Sequence, residues 1–178
     1  MSEDWNEACR RRSSLRRSPS RLRFADCLKT LLVPVDFSAA TRALVEVAIS
    51  EARRADARVL LLHVAAPEPD FVPYAVGPQT VRDQRAEELR EEHGRMHELA
   101  AEFQAHGVEA EGRLVAGPTV QTILEQAAEH DAERIVMATH GHGLWHRVLL
   151  GSVSEGVLRR ARVPVLLVPV RDEQLADA

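Results

Sequence analysis

The stretch that decides the fold is Arg134-Ile-Val-Met-Ala138-Thr-His-Gly141, followed after nine residues by Gly151-Ser-Val-Ser154. Its apolar run predicts a buried strand, and the Gly-Ser pair predicts the start of an amphipathic helix. A helix N-terminus presents unpaired N–H groups and a partial positive charge, which suit a phosphate. Glycine in the loop would let the backbone approach a ligand closely. The spacing therefore predicts a strand, a phosphate-cradling loop and a helix N-terminus.

The rest of the chain alternates apolar runs with amphipathic segments. Such alternation predicts an α/β domain, in which a parallel sheet is covered by helices on both faces. Ligands bind these sheets beyond the carboxyl ends of the strands, so Asp36, Val64 and the loop 138–143 are predicted to converge at one edge. The predicted strands are 31–35, 58–64, 108–115, 134–138 and 163–170, and the predicted helices are 38–55 with Ser38 as N-cap, 81–106, 119–130 and 152–161.

Composition favours an ordinary globular protein. Hydrophobic residues make up 45% of the 178 residues and charged residues 28%, and no apolar stretch approaches the length of a membrane span. Basic residues near the start are not followed by an apolar signal core. Cys9 and Cys27 both lie outside the predicted domain and form no metal-binding pair. We therefore expect a cytoplasmic protein without a membrane partner.

Charge divides the chain into a basic segment and an acidic domain. Residues 1–28 carry seven arginines against four acidic residues, a net charge of +3. The net charge of the whole chain is −4, so residues 29–178 carry −7. An acidic domain is not expected to bind nucleic acid. Residues 1–28 are predicted to be a basic, disordered tail, either merely solvated, in contact with an anionic partner, or phosphorylated on serine. The domain is predicted at 29–172, with a short C-terminal tail at 173–178.

Five motifs follow one another in order over residues 29–170. They are Leu32-Val-Pro-Val-Asp36-Phe-Ser38, Leu61-Leu-His-Val64, Gly117 with Ile123-Leu124, the stretch from Met137 to Ser154, and Arg162-Val-Pro164. In these motifs the chain resembles the universal stress protein family. This resemblance implies a Rossmann-like domain with five strands that forms dimers, and some members of the family bind ATP.

The resemblance also implies which residues would contact a nucleotide. Val64 and Met137 correspond to positions that line the adenine. Ala138 stands where the nucleotide-binding branch has glycine, so its methyl group either blocks a close approach or fits an extended backbone. His140 and His142 lie in the same loop, where a histidine can hydrogen-bond a phosphate. The other implied contacts are Pro34, Val35 and Asp36 after the first strand, and Gly141, Gly151, Ser152, Val153 and Ser154 around ribose and phosphates.

Metal and catalytic chemistry are only weakly indicated. Asp36 is predicted either to contact the ribose, to hold Mg²⁺ together with phosphates, or to cap the helix entry beside Ser38. The histidines at 140, 142 and 146 have no fixed helical spacing, so no zinc site is predicted there. Lys29 is the single lysine of the chain and no P-loop is present, so ATP hydrolysis is expected to be slow at most.

Three functions remain open on the sequence. The first is an ATP-binding stress-response regulator that dimerises through the apolar strand 163–170, predicted to be a sheet edge. The second is a dimeric scaffold of the same fold that binds no nucleotide. The third is an adenine-nucleotide α-hydrolase, which the sequence Asp36-Phe-Ser disfavours because such enzymes would need glycines after the first strand.

Overall fold

A computed structural model describes residues 29–65, 78–139 and 150–169, with the backbone alone for 78–85. The predicted tails at 1–28 and 173–178 lie outside the described residues. In the described part, strands and helices alternate as β1 (Lys29–Val35), α1 (Ala40–Ala55), β2 (Ala57–Ala65), α2 (Pro78–Ala105), β3 (Ala110–Ala116), α3 (Thr119–Glu129), β4 (Ala132–Ala138), α4 (Ser152–Arg160) and β5 (Val165–Val168). The predicted alternation is confirmed.

The strands form one parallel sheet in the order β3-β2-β1-β4-β5. From β1 the chain moves outward through β2 to β3, and it then returns to the other side of β1 for β4 and β5. The direction of winding therefore reverses between β1 and β4. This is the doubly wound arrangement, with a five-stranded parallel sheet as predicted.

Two apolar layers cover the sheet. One packs α1 and α2 against one face, and the other packs α3 and α4 against the opposite face. The consecutive residues Leu32 and Val33 are both fully buried, one in each layer. Burial on both faces explains why the strands are continuous apolar runs rather than alternating ones. Each such side chain stabilises the fold by about 1.5–3 kcal/mol.

The predicted helix cap at Ser38 is wrong. Helix α1 begins at Ala40, and its N-cap residue is Ala39, without a capping side chain. Ser38 instead donates its backbone N–H (3.1 Å) and its hydroxyl (2.7 Å) to Oδ1 of Asp36. Serine and aspartate side chains readily form such local bonds in place of a cap. The turn between β1 and α1 is therefore held by Asp36.

The last strand is shorter than predicted. Strand β5 covers Val165–Val168 and lies at the edge of the sheet, as predicted. Proline stands on both sides of it, at Pro164 and Pro169. Proline has no N–H to donate to a neighbouring strand, which limits the length over which pairing continues. The other helices and strands end within three residues of their predicted bounds.

Candidate functional site

The candidate site lies at the carboxyl edge of the sheet, where the winding reverses. Strand β1 pairs with β2 as far as Val35 and His63, whereas its register with β4 runs from Thr30 to Leu32, opposite Ile135. Pro34, which has no N–H, lies beyond this last pair. Because the helices that follow β1 and β4 cover opposite faces of the sheet, a crevice is expected between the two strand ends.

A strained turn follows β1 at this edge of the sheet. Phe37 has a φ of 57°, a conformation that costs a residue other than glycine about 1–2 kcal/mol. Its ring lies 4.5 Å from the ring of His63, and the guanidinium of Arg95 lies 4.5 Å above it. These contacts from β2 and α2 fix the strained residue. Such strain is typical of functional sites.

His63 ties the ends of β1 and β2 together. Its Nδ1 lies 2.8 Å from the carbonyl oxygen of Val35, and since a carbonyl only accepts, this nitrogen donates its N–H. Its Nε2 faces Oε1 of Glu92 on α2 at 3.7 Å, and the side chain is 12% exposed. Sequence reasoning found neither Glu92 nor Arg95, because no local pattern links α2 to a turn more than fifty residues earlier.

On the other side of the candidate site, hydrogen bonds join the end of β4 to the start of α4. The hydroxyl of Ser154, which is buried, donates to the carbonyl of Ala138 at 2.9 Å. The N–H of Gly151 donates to the carbonyl of Thr139, also at 2.9 Å. Together these bonds hold Thr139 beside the N-terminus of α4. The predicted contacts His140, Gly141 and His142 lie outside the described residues.

The N-terminus of α4 presents backbone donors to this edge. The first helical bond runs from the N–H of Glu155 to the carbonyl of Gly151, at 2.9 Å. The N–H groups of residues 152–154 precede that bond and have no acceptor within the helix. Ser152 is exposed at the first helical position. Glu155 forms an ion pair with Arg159, which offsets its negative charge beside these donors.

The remaining predicted contacts differ in burial. Val35 and Met137 belong to the two core layers and are nearly fully buried. Val64 is half-buried, and Asp36 is exposed. Ala138 is the last residue of β4, paired with Val168, and its φ is not positive, so alanine fits this backbone without strain. The predicted residues that are described thus lie at the ends of β1, β2 and β4 and at the start of α4.

A groove of about 460 Å³ lies between α1 and α2, and Phe37 and Ser38 are among its lining residues. Val45 and Leu99 form part of its apolar lining. Its charged residues are two arginines and two glutamates, at 42, 95, 98 and 102. Equal numbers of positive and negative side chains do not favour the binding of an anion in this groove. The backbone donors at the start of α4 do favour it.

Clusters of metal-binding side chains and membrane-spanning helices are both absent from the described residues. Within the ranges 29–65, 78–139 and 150–169, no three or more side chains of His, Cys, Asp or Glu are grouped to hold a metal ion. No helix in those same ranges is long and apolar enough to cross a membrane.

The fold defines the class: a doubly wound α/β protein with a helix N-terminus at the edge of the sheet where the winding reverses. The chain belongs to the universal stress protein family, whose family model matches residues 28–169. A universal stress protein encoded beside a QAH/OAS sulfhydrylase in Thermus aquaticus is 33% identical to it over 142 residues, which is 79% of this chain and 98% of the relative.

Solved structures give the same fold. The structure of MJ0577 from Methanocaldococcus jannaschii aligns with a TM-score of 0.67 and 25% identity, covering 81% of this chain and 97% of that one. A universal stress protein from Archaeoglobus fulgidus, solved in complex with dAMP, aligns with a TM-score of 0.60 and 21% identity, covering 79% of this chain and 97% of the other. The second likeness concerns the fold alone.

Proposed function

We propose that this universal stress protein binds an adenine nucleotide, with ATP as the physiological form, in the crevice between β1 and β4. The observation that carries the proposal is the N-terminus of α4. Its N–H groups at residues 152–154 lie before the first helical bond, at the edge where doubly wound sheets bind ligands. A phosphate would accept from these groups, and the hydroxyl of Ser152 would add a further donor.

Further features support the proposal. Ala138 lies in extended strand, so its methyl group introduces no backbone strain at the position where the family resemblance implies glycine for the nucleotide-binding branch. A protein of the same fold has been solved with dAMP, which is consistent with an adenine nucleotide on this architecture. In our proposal Val64 and Met137 border the adenine, and Pro34, Val35 and Asp36 border the ribose.

A magnesium ion would accompany the nucleotide at Asp36. Mg²⁺ is usually held by one or two carboxylates together with phosphate oxygens and water, and Asp36 supplies one exposed carboxylate at the end of β1. The residues described here therefore fit the ion. Lys29 begins β1 at the opposite edge of the sheet, where it pairs with Glu133 at 3.4 Å. The single lysine of the chain is thus remote from the phosphates, which supports hydrolysis that is slow at most.

We further propose that the nucleotide regulates a homodimer in the cytoplasm during stress. Strand β5 is an edge strand, and an edge leaves N–H and C=O groups available to another chain. Pairing with β5 of a second copy would satisfy these groups with two-fold symmetry. The wider segment 163–170 would form this interface.

The test compares Ser152→Asp with Ser152→Asn in calorimetric titrations of protein stripped of nucleotide. Aspartate in the first turn stabilises a helix by about 0.3–1 kcal/mol through the helix dipole, so the fold should be retained. Its charge would repel a phosphate bound at the same N–H groups. We expect Ser152→Asp to weaken Mg-ATP binding at least about tenfold, a loss of about 1.4 kcal/mol. Ser152→Asn, which has the same shape without the charge, should bind ATP nearly as the wild type does.

Titration with adenosine separates the phosphate site from the base site. Adenosine has no phosphate, so both variants should bind it as the wild type does. Equal ATP affinity in Ser152→Asp and Ser152→Asn would contradict the phosphate site at α4. Wild-type protein that binds no ATP at millimolar concentration would instead favour the dimeric scaffold that binds no nucleotide.

A further inference from the structure

Two histidines on helix α2 face each other outside the crevice. His93 and His97 are both exposed and lie four residues apart, so their side chains emerge one above the other on one face of the helix. Their Nε2 atoms are 3.1 Å apart, and their ring centroids are 4.6 Å apart. The two nitrogens, which are within hydrogen-bonding distance of each other, therefore lie close together at one place on the helix surface.

This convergence matches the bite of a metal chelate. Imidazole nitrogens bind zinc at about 2.0–2.1 Å, and two nitrogens 3.1 Å apart would then meet at the ion at an angle of about 100°. That angle lies between the octahedral and tetrahedral values. Pairs of histidines at this helical spacing are a recurrent way to hold a metal on one helix face.

We propose that His93 and His97 form a bidentate site for one divalent ion of the later first-row metals, such as Ni²⁺, Cu²⁺ or Zn²⁺. Imidazole is a favoured ligand of these ions. Within the described chain the two histidines have no third His, Cys, Asp or Glu grouped with them, so water completes the coordination sphere. The proposal is independent of the nucleotide site.

The surroundings of the pair favour a cation. Between residues 86 and 102 the helix carries six glutamates and two arginines, so its net charge is strongly negative. Gly94, which follows His93, has no other group near the place where a side chain would stand, so the helix surface beside the pair is open. A negative potential raises the local concentration of cations, and the open surface leaves room for bound water.

The sequence already contained this signal. The pattern His-x-x-x-His lies inside the predicted helix 81–106, whereas the histidines at 140, 142 and 146 have no helical spacing. Helical periodicity alone brings His93 and His97 to one face. The distance between their nitrogens, which only the structure supplies, indicates that the pair can chelate a metal ion.

The test is calorimetric titration of the full chain with Ni²⁺ alone, and in parallel with Zn²⁺ alone. Wild-type protein should bind one more equivalent than either His93→Ala or His97→Ala, because one remaining imidazole holds the ion far more weakly. The matched control is His106→Ala, which removes an exposed histidine just beyond the same helix and should keep the wild-type stoichiometry.

A relocated pair tests the spacing itself. Ala101 is exposed and lies four residues after His97, so the double variant His93→Ala, Ala101→His recreates the pair one turn further along α2. We expect this variant to regain the lost equivalent. Metal binding should also raise the melting temperature of wild-type protein but not of His97→Ala, since the chelate requires the helix.

Two results would overturn the proposal. One is wild-type protein that binds no Ni²⁺ or Zn²⁺, and the other is His97→Ala that binds as many equivalents as the wild type. The second result would place any bound ion on other histidines of the chain. Either result would leave the nucleotide titrations unaffected.

Discussion

At the scale of single residues, Asp36 and Phe37 shape the turn at the end of β1. Phe37 adopts a left-handed conformation, which its contacts with His63 and Arg95 stabilise. Asp36 accepts both the N–H and the hydroxyl of Ser38 on one carboxylate oxygen. The residue proposed to hold Mg²⁺ therefore also holds the turn, and the two roles have to be separated by experiment.

The variant Asp36→Asn separates them. Asparagine keeps an oxygen that can accept the bonds from Ser38, so the free energy of unfolding should change little. It removes the negative charge that Mg²⁺ requires, so the gain in ATP affinity on adding Mg²⁺ should be lost. The measurement is calorimetric titration with ATP, with Mg²⁺ and with EDTA.

The control for this prediction is Asp131→Asn. Asp131 is an exposed aspartate that precedes β4 at the opposite edge of the sheet. This variant should keep the wild-type response to Mg²⁺. The role of Asp36 would be refuted if Asp36→Asn responded to Mg²⁺ as fully as the wild type.

At the scale of helices and strands, glycine has different roles in two helices. A Cβ added at Gly156 on α4 would lie 2.9 Å from Cγ2 of Val120 on α3, so these helices approach closely only because residue 156 lacks a side chain. At Gly94 on α2 the same Cβ would meet nothing within 4 Å. Helix packing therefore requires one glycine and not the other.

The substitution of alanine at these two glycines should have opposite effects. Gly94→Ala should raise the free energy of unfolding by about 0.5–1 kcal/mol, because alanine loses less backbone entropy on folding. Gly156→Ala should lower it, since overpacking costs about 1–3 kcal/mol and outweighs that gain. Urea denaturation of both variants provides the measurement, and the double variant Gly156→Ala, Val120→Ala should recover part of the loss. Stabilisation by Gly156→Ala alone would argue against close contact between α3 and α4.

At the scale of the whole molecule, the edge strand β5 decides how two copies would associate. The carbonyls of Pro164 and Val168 accept N–H groups from Ile135 of β4 and from Thr139, which directly follows β4. Since the backbone groups of successive residues in a strand point to alternate sides, Val165 and Leu167 direct their N–H and C=O groups away from β4. These are the groups that a second β5 would pair with.

The variant Leu167→Pro should abolish a dimer formed through β5. Proline removes an outward N–H while leaving the bonds to β4 intact, as is tolerated on edge strands. Sedimentation should show wild-type dimers and Leu167→Pro monomers. The matched control is Leu114→Pro, which by the same alternation removes an outward N–H from β3 at the opposite edge. A Leu167→Pro protein that still sediments as a dimer would move the interface elsewhere.

Much of the candidate site could be predicted because it depends on strand ends and a helix start. Asp36 follows an apolar run, and Val64 and Ala138 each end one. Parallel strands bring such residues to one edge whatever the details of packing. The N-terminal donors of α4 follow from Gly151 and Ser152 alone. The cap predicted at Ser38 failed because the hydroxyl of Ser38 donates to Asp36, two residues earlier, and the helix begins only at Ala40.

The sequence by itself determined the order of helices and strands, the family, and the spacing of His93 and His97. All of these depend on residues close together along the chain, where hydrophobic periodicity and helix geometry suffice. Only the tertiary structure decided that His63 and Arg95 support the strained Phe37, that Ser154 bonds the end of β4, and that Ala138 stands in extended backbone. These contacts join residues separated by up to 58 positions, and they form only once the sheet and the packed helices bring those residues together.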